Sequence, residues 1–198
     1  MPLPRSLLTL SVMAAVLTAC GSSSEPTFDE RRDGFFVQRD NFLDTTQPVQ
    51  NFSDLPTSGT ATFNGAVGVT LTDVDRTSII GDLALEVAYS DPSGTVSGRA
   101  DNFTTDFGED FSGGLDITNG ELGDSGIATG VGFNGDLTGT LVGPQTGTVV
   151  VDADMSGTFG TPLTGGGDVV GAVGLVTGSV DIGGNTVEIG DGAFIVTE

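Results

Sequence analysis

Cys20 is the one cysteine in this chain of 198 residues, and its neighbours give the thiol a specific use. Leu17-Thr18-Ala19-Cys20 sets a small residue just before the cysteine and a leucine three positions ahead of it. This is the bacterial lipobox spacing: the thiol takes a diacylglycerol and a peptidase cuts the bond before it. The freed amine can then take a further acyl chain, and two or three chains hold a protein where one holds it only marginally. Upstream, Arg5 precedes an apolar run over residues 7–17, and no acid occurs before Glu25. These are the charged and apolar parts of a secretory signal, and the run is too short to cross a bilayer as a stable helix. The plainer alternative is an ordinary signal peptide with a cysteine nearby. Against it, a secreted chain with one unpaired thiol is unusual.

Other residue types close off whole reaction classes. The chain has no His, Lys or Trp, and its six basic residues are all Arg. Without imidazole, a second thiol or an amine there is no such general base, no thiolate nucleophile, no Schiff base and no Cys/His metal site. Expectations are therefore of a non-enzyme without cofactor or metal. The formal charge of −21 falls by one more when the leader, with its single arginine, is removed. Such a surface repels nucleic acid and anionic headgroups; it suits solubility, or attraction to basic proteins and cations.

Acids do occur in clusters. Asp106, Glu109 and Asp110 crowd residues 104–112 between turn-permitting glycines, and oxygen ligands on such a loop suit calcium. The spacing fits no EF-hand, and a solvated loop tip explains it as well. Asp73, Asp75 and Arg76 read as a hairpin tip with an ion pair. Gly165-Gly166-Gly167-Asp168 and Gly190-Asp191-Gly192 lack the nine-residue period of glycine-aspartate calcium repeats. Gly130-Val131-Gly132 lacks the helix that a dinucleotide site requires. A paired-carboxylate hydrolase needs two acids about 5–9 Å apart, a spacing that 27 acids reach by chance. Phe103, Phe107 and Phe111 recur every four residues, but Gly108 and flanking strand patterns make them core and loop aromatics.

The elements that would position these residues change character along the chain. Residues 1–19 are the signal peptide. Residues 20–54 form a lipidated, partly ordered tether, mostly irregular, with a short helix over 33–44 as a second reading. Some of its aromatics (Phe28, Phe35, Phe36, Phe42, Phe52) are expected to dock on the domain beyond it, and Pro48 and Pro56 stop any longer helix. Residues 55–198 form that domain. From Ser58 on, apolar and polar residues alternate in short runs: Ala61, Phe63, Gly65, Val67, Val69 and Leu71 share one face, and Leu83, Leu85, Val87 and Tyr89 share another. Period-two runs separated by turn signals (Asp91-Pro92-Ser93-Gly94, Asn119-Gly120, Gly143-Pro144, Gly183-Gly184-Asn185) predict an all-β fold. The 32 glycines and eight prolines stay below the roughly 25–30% share of structureless chains. Glycines inside the runs, such as Gly65, Gly98, Gly139, Gly157, Gly171 and Gly174, suit the sharp coiling of a small closed antiparallel barrel of about eight strands. Closure also removes free edges. A membrane-spanning barrel is disfavoured, because one Tyr and no Trp cannot build aromatic girdles.

Several segments resemble the transferrin-binding-protein-B-like barrel lipoproteins. Leu55-Pro56-Thr57-Ser58-Gly59-Thr60-Ala61-Thr62-Phe63-Asn64-Gly65 is similar to their opening strand. Val96-Ser97-Gly98-Arg99-Ala100-Asp101-Asn102-Phe103 followed by Gly114-Leu115-Asp116-Ile117-Thr118-Asn119-Gly120 is similar to their central hairpin. Met155-Ser156-Gly157-Thr158-Phe159-Gly160 and residues 167–173 resemble their penultimate pair, and Gly192-Ala193-Phe194-Ile195-Val196 their closing strand. The resemblance covers residues 55–198 and implies an eight-stranded barrel, an outer-membrane or surface location, and binding rather than catalysis. Larger members carry two lobes with handle domains, for which this chain has no room. Val170 and Val173 stand where an aromatic is common. Transferrin capture and ligand-contact residues therefore do not carry over.

Gly21 and Ser22 lack the Asp that retains lipoproteins in the inner membrane of didermic bacteria. The expected location is therefore the outer membrane, with either its periplasmic or its external face open to the barrel. The expected partners are the membrane, through lipid on Cys20, and a protein or small solute; no nucleic acid is expected. The alternative is a structural or assembly lipoprotein of the envelope with no soluble ligand.

Overall fold

The computed structural model describes residues 25–72, 76–91, 93–124, 130–164 and 168–198. Eight long strands follow one another: β2 (Ser58–Leu71), β3 (Ser78–Ser90), β4 (Ser93–Thr105), β5 (Ser112–Asp124), β6 (Val131–Gly143), β7 (Gly147–Pro162), β8 (Gly171–Ile182) and β9 (Asn185–Thr197). Each pairs antiparallel with its neighbours in sequence. β9 closes the cylinder on β2, from Asn64 opposite Thr197 to Leu71 opposite Ile189. This is an up-and-down barrel of eight strands, as the period-two pattern predicts. The alternation sorts residues cleanly: Leu83, Leu85, Val87 and Tyr89 are buried, whereas Asp82, Ala84 and Glu86 between them are exposed. The acids Asp152 and Asp154 of β7 also face out. An apolar inside and an acidic outside reverse the arrangement of a membrane-spanning barrel.

Four phenylalanines fill the interior. Phe63, Phe133, Phe159 and Phe194 are fully buried, with ring centroids 6.5 Å apart for Phe63 and Phe159, 5.7 Å for Phe133 and Phe159, and 5.6 Å for Phe133 and Phe194. Gly157 is what lets the rings meet. A Cβ there would lie 2.6 Å from the Phe194 ring and 2.7 Å from that of Phe133. One void among the interior side chains measures about 20 Å³, close to the volume one water needs, and its lining is apolar, so it stays dry.

The expected irregular tether is corrected over residues 28–48. Residues Phe28–Thr45 form an 18-residue helix, α1, and Thr46–Pro48 form a short strand, β1. The helix starts where the sequence provides a reciprocal cap: Thr27 Oγ1 accepts the Glu30 N–H at 3.3 Å, and Glu30 Oε2 accepts the Thr27 N–H at 2.8 Å. Asp29 and Glu30 in the first turn also suit the positive end of the helix dipole. At the far end Thr46 leaves helical geometry and its hydroxyl donates to the Phe42 carbonyl at 2.7 Å. β1 then pairs with β7, Thr46 opposite Pro162 and Pro48 opposite Gly160. Val49 carries the ladder on to β6, donating to Phe159 O at 3.0 Å and accepting from Val131 N at 2.7 Å. Thus the chain between helix and barrel covers one mouth of the cylinder, with Val49 and Leu55 joined to its core.

One turn signal is also corrected. Asn119-Gly120 does not end a strand but sits within β5, where the register with β6 shifts between Thr118 and Glu121. Asn119 takes φ +53°, a conformation that a bulge and a hairpin turn both ask of this dipeptide.

Candidate functional site

Outside the barrel, α1 lies across β3, β2, β9 and β8. Phe35 and Phe42 are its buried residues, packed with Ile80 and Ile195 in a cluster separate from the interior. Arg31 fixes the start of the helix. Its Nη1 donates to Asp82 Oδ1 at 3.1 Å and to the Asn102 carbonyl at 2.9 Å, while Asn102 Nδ2 holds the other oxygen of Asp82 at 2.9 Å.

Between one flank of the helix and the wall a groove of about 530 Å³ stays open, within the usual range for small-molecule sites. Phe28, Phe35 and Phe36 face it from the helix, and Ile80 and Leu175 from the wall. Phe36 (42% exposed) and Leu175 (47%) leave apolar surface open to solvent. Gly68 forms part of the floor, where an added Cβ would find nothing nearer than the Ile79 carbonyl at 3.8 Å. Four charged residues line the groove: Arg32 and Arg39 from the helix, Asp106 and Asp191 from the barrel side. Each guanidinium leans on an aromatic ring, Arg32 at 5.9 Å from the Phe28 centroid and Arg39 at 4.8 Å from that of Phe36. Arg32 also pairs with Asp29 (3.0 Å) and Asp33 (3.3 Å), and Arg39 with Asp40 (2.9 Å).

The acidic loop after β4 comes apart into different roles. Glu109 turns inward, 1% exposed, and its carboxylate accepts the N–H groups of Gln145 and Thr146, at 2.5 and 2.8 Å, and the Thr146 hydroxyl. Burial pushes its acidity down, but these three donors outweigh that and hold the carboxyl below its ordinary pKa. It ties the loop to the β6–β7 turn at the second mouth of the barrel. Asp106 and Asp110 are exposed, and the three acids do not converge. Among the described residues no group of three or more His, Cys, Asp or Glu side chains is placed to hold a metal. Phe103 and Phe111 are buried beside Glu109, whereas Phe107 (56% exposed) projects from the loop tip. At the opposite mouth, burial and then the Glu198 charge push the Tyr89 phenol up to about 12, so it stays neutral.

Cys20 and the signal peptide over residues 1–19 lie outside the described residues, as do Asp73, Asp75 and Gly165-Gly166-Gly167. Arg76 is described, at φ +52°. Gly190-Asp191-Gly192 falls in β9, on the wall of the groove. Sequence reasoning does not single out Arg32 and Arg39. Their seven-residue spacing beside Phe28, Phe35 and Phe36 becomes a signal only once residues 28–45 are helical, and Thr27-Phe28-Asp29-Glu30, a capping-box pattern, is the cue that points there.

No protein-family model matches the chain, and no curated protein or solved structure matches it. Among the described residues no helix is long and apolar enough to cross a membrane.

Proposed function

We propose that this chain is a lipoprotein of the outer membrane, anchored through lipid on Cys20, whose barrel is a rigid non-catalytic frame for binding a small solute or a protein. One observation carries the binding part. The interior is packed, with one void of about 20 Å³ among its side chains, while the groove of about 530 Å³ stands open outside it against α1. A cylinder so packed cannot enclose a ligand as a wider barrel does, so recognition falls to its outer face and loops, where Phe36, Leu175 and Phe107 leave apolar surface exposed. Leu17-Thr18-Ala19-Cys20 supports the anchor, and Gly21 and Ser22 support the outer membrane. The segments similar to transferrin-binding-protein-B-like lipoproteins fall on β2, β4, β5, β7, β8 and β9, in keeping with a single-barrel relative.

The test begins with Cys20→Ser in cells fed a labelled fatty acid. The variant is expected to lose the label and accumulate as uncut precursor; normal labelling defeats the anchor. Protease shaving of intact cells then shows which face of the membrane carries the barrel. Affinity capture from envelope extracts completes the test. A ligand or partner retained by the wild type, and lost when residues 104–112 are shortened or the groove is blocked, supports binding. A weakened envelope on deletion, with nothing bound, supports the structural role instead.

A further inference from the structure

We propose that the groove beside α1 holds a single-chain phospholipid: one alkyl chain on the apolar floor and a zwitterionic head between the helix and barrel walls. The proposal deepens the binding reading above and rests on it for the membrane as the source of the ligand.

Charge decides the head. The helix wall offers the guanidiniums of Arg32 and Arg39, and the barrel side offers the carboxylates of Asp106 and Asp191. An anionic head alone would meet the two carboxylates, and a cationic head alone the two guanidiniums. A phosphate joined to an ammonium has a partner on each side. Guanidinium forks suit phosphate oxygens. The present partners of Arg32 and Arg39 are aspartates at the surface, in pairs weak enough to exchange. Apolar surface decides the tail. Phe36 and Leu175 are large, half-exposed and face one trough, and the floor at Gly68 carries no side chain.

Position decides the source. Glu25, Pro26 and Thr27 border a second cleft together with Phe103, Thr104 and Gly108, at the end of the barrel where Thr70, Ser78 and Asp106 border the groove. Cys20 stands five residues before Glu25, at most about 18 Å of extended chain. An anchor there keeps the groove within reach of the bilayer.

The experiment titrates the full chain carrying Cys20→Ser, which has no attached lipid, with dodecylphosphocholine below its micelle-forming concentration. Dodecanoate and dodecyltrimethylammonium serve as singly charged controls, all read by calorimetry. One site is expected, tighter for dodecylphosphocholine than for either control by about tenfold. Gly68→Leu, which fills the floor, is expected to weaken binding by about tenfold or more at an unchanged melting temperature, while Gly68→Ala leaves it intact. Arg32→Gln with Arg39→Gln is expected to remove the preference over dodecyltrimethylammonium. Absence of binding, equal binding of the three probes, or wild-type binding by Gly68→Leu overturns the proposal. Failure of the anchor reads differently: Cys20 unlabelled in cells, with dodecylphosphocholine still bound, removes the membrane source and leaves the groove chemistry standing.

Discussion

Phe63, Phe133, Phe159 and Phe194 meet inside the barrel, and Phe28, Phe35, Phe36 and Phe42 line one side of α1. The two sets have similar chemistry and different fates. Inside, eight strands surround every ring, and Gly157 gives way so that no useful space remains. Outside, a helix of 18 residues, about 27 Å long at 1.5 Å per residue, meets a convex wall along one line. It buries Phe35 and Phe42 and leaves Phe36 half-open beside a trough. Closure of a sheet forces completion, whereas a helix laid on a cylinder leaves a flank. The filled part and the open part of this molecule are therefore different layers.

If the inner layer carries most of the stability, Phe159→Ala is expected to cost about 3–5 kcal/mol. Chemical denaturation should show a lower midpoint with an unchanged slope. A near-neutral result would place that ring outside the core. Phe42→Ala in the outer layer is expected to cost about 3 kcal/mol, the bottom of that range, because an edge site collapses more easily. Hydrogen exchange should then show α1 opening while the strands stay protected; exchange rising evenly across the barrel would mean that the layers are one unit.

Glu109→Gln should cost about 2 kcal/mol at neutral pH, since it loses charge-assisted acceptance from Gln145 and Thr146. The wild-type carboxyl titrates lower in the folded chain than its ordinary 4.5. Its contribution is therefore whole above about pH 4.5 and disappears as the pH falls through the folded value. Thermal unfolding from about pH 6 to pH 3 should fall more steeply for the wild type than for the variant, and parallel curves would remove this role. Thr27→Ala, which breaks the cap of α1, should cost about 1 kcal/mol, read as lost helical dichroism with the barrel melt unchanged.

The barrel was legible because an antiparallel wall with one wet face writes period two into the chain. Leu83, Leu85, Val87 and Tyr89 against Asp82, Ala84 and Glu86 are as clear in sequence as in structure. The helix was not legible as a full element because its apolar stripe is thin: Phe35 and Phe42, seven apart, are its only buried residues, and arginines occupy the flank that faces the groove. Asn119-Gly120 misled because a bulge and a hairpin turn make the same local demand, and only the partner strand distinguishes them. The groove depends on how a helix seats on a curved wall, which no local pattern encodes. Glu109 was visible as an acid in a loop, but its burial depends on the β6–β7 turn, more than 30 residues away.

The seam of β9 against β2 joins residues 189–197 to residues 64–71, so the two ends of the cylinder's own chain must find each other across the whole length of the barrel sequence. Long-range pairing of this kind folds slowly. While the final strand is still being made or moved, β2 and β8 have open edges and the wall cannot lock. With β9 in place the same seam makes the wall a sealed ring, and any product cut short before it would be left with raw margins for proteases to find.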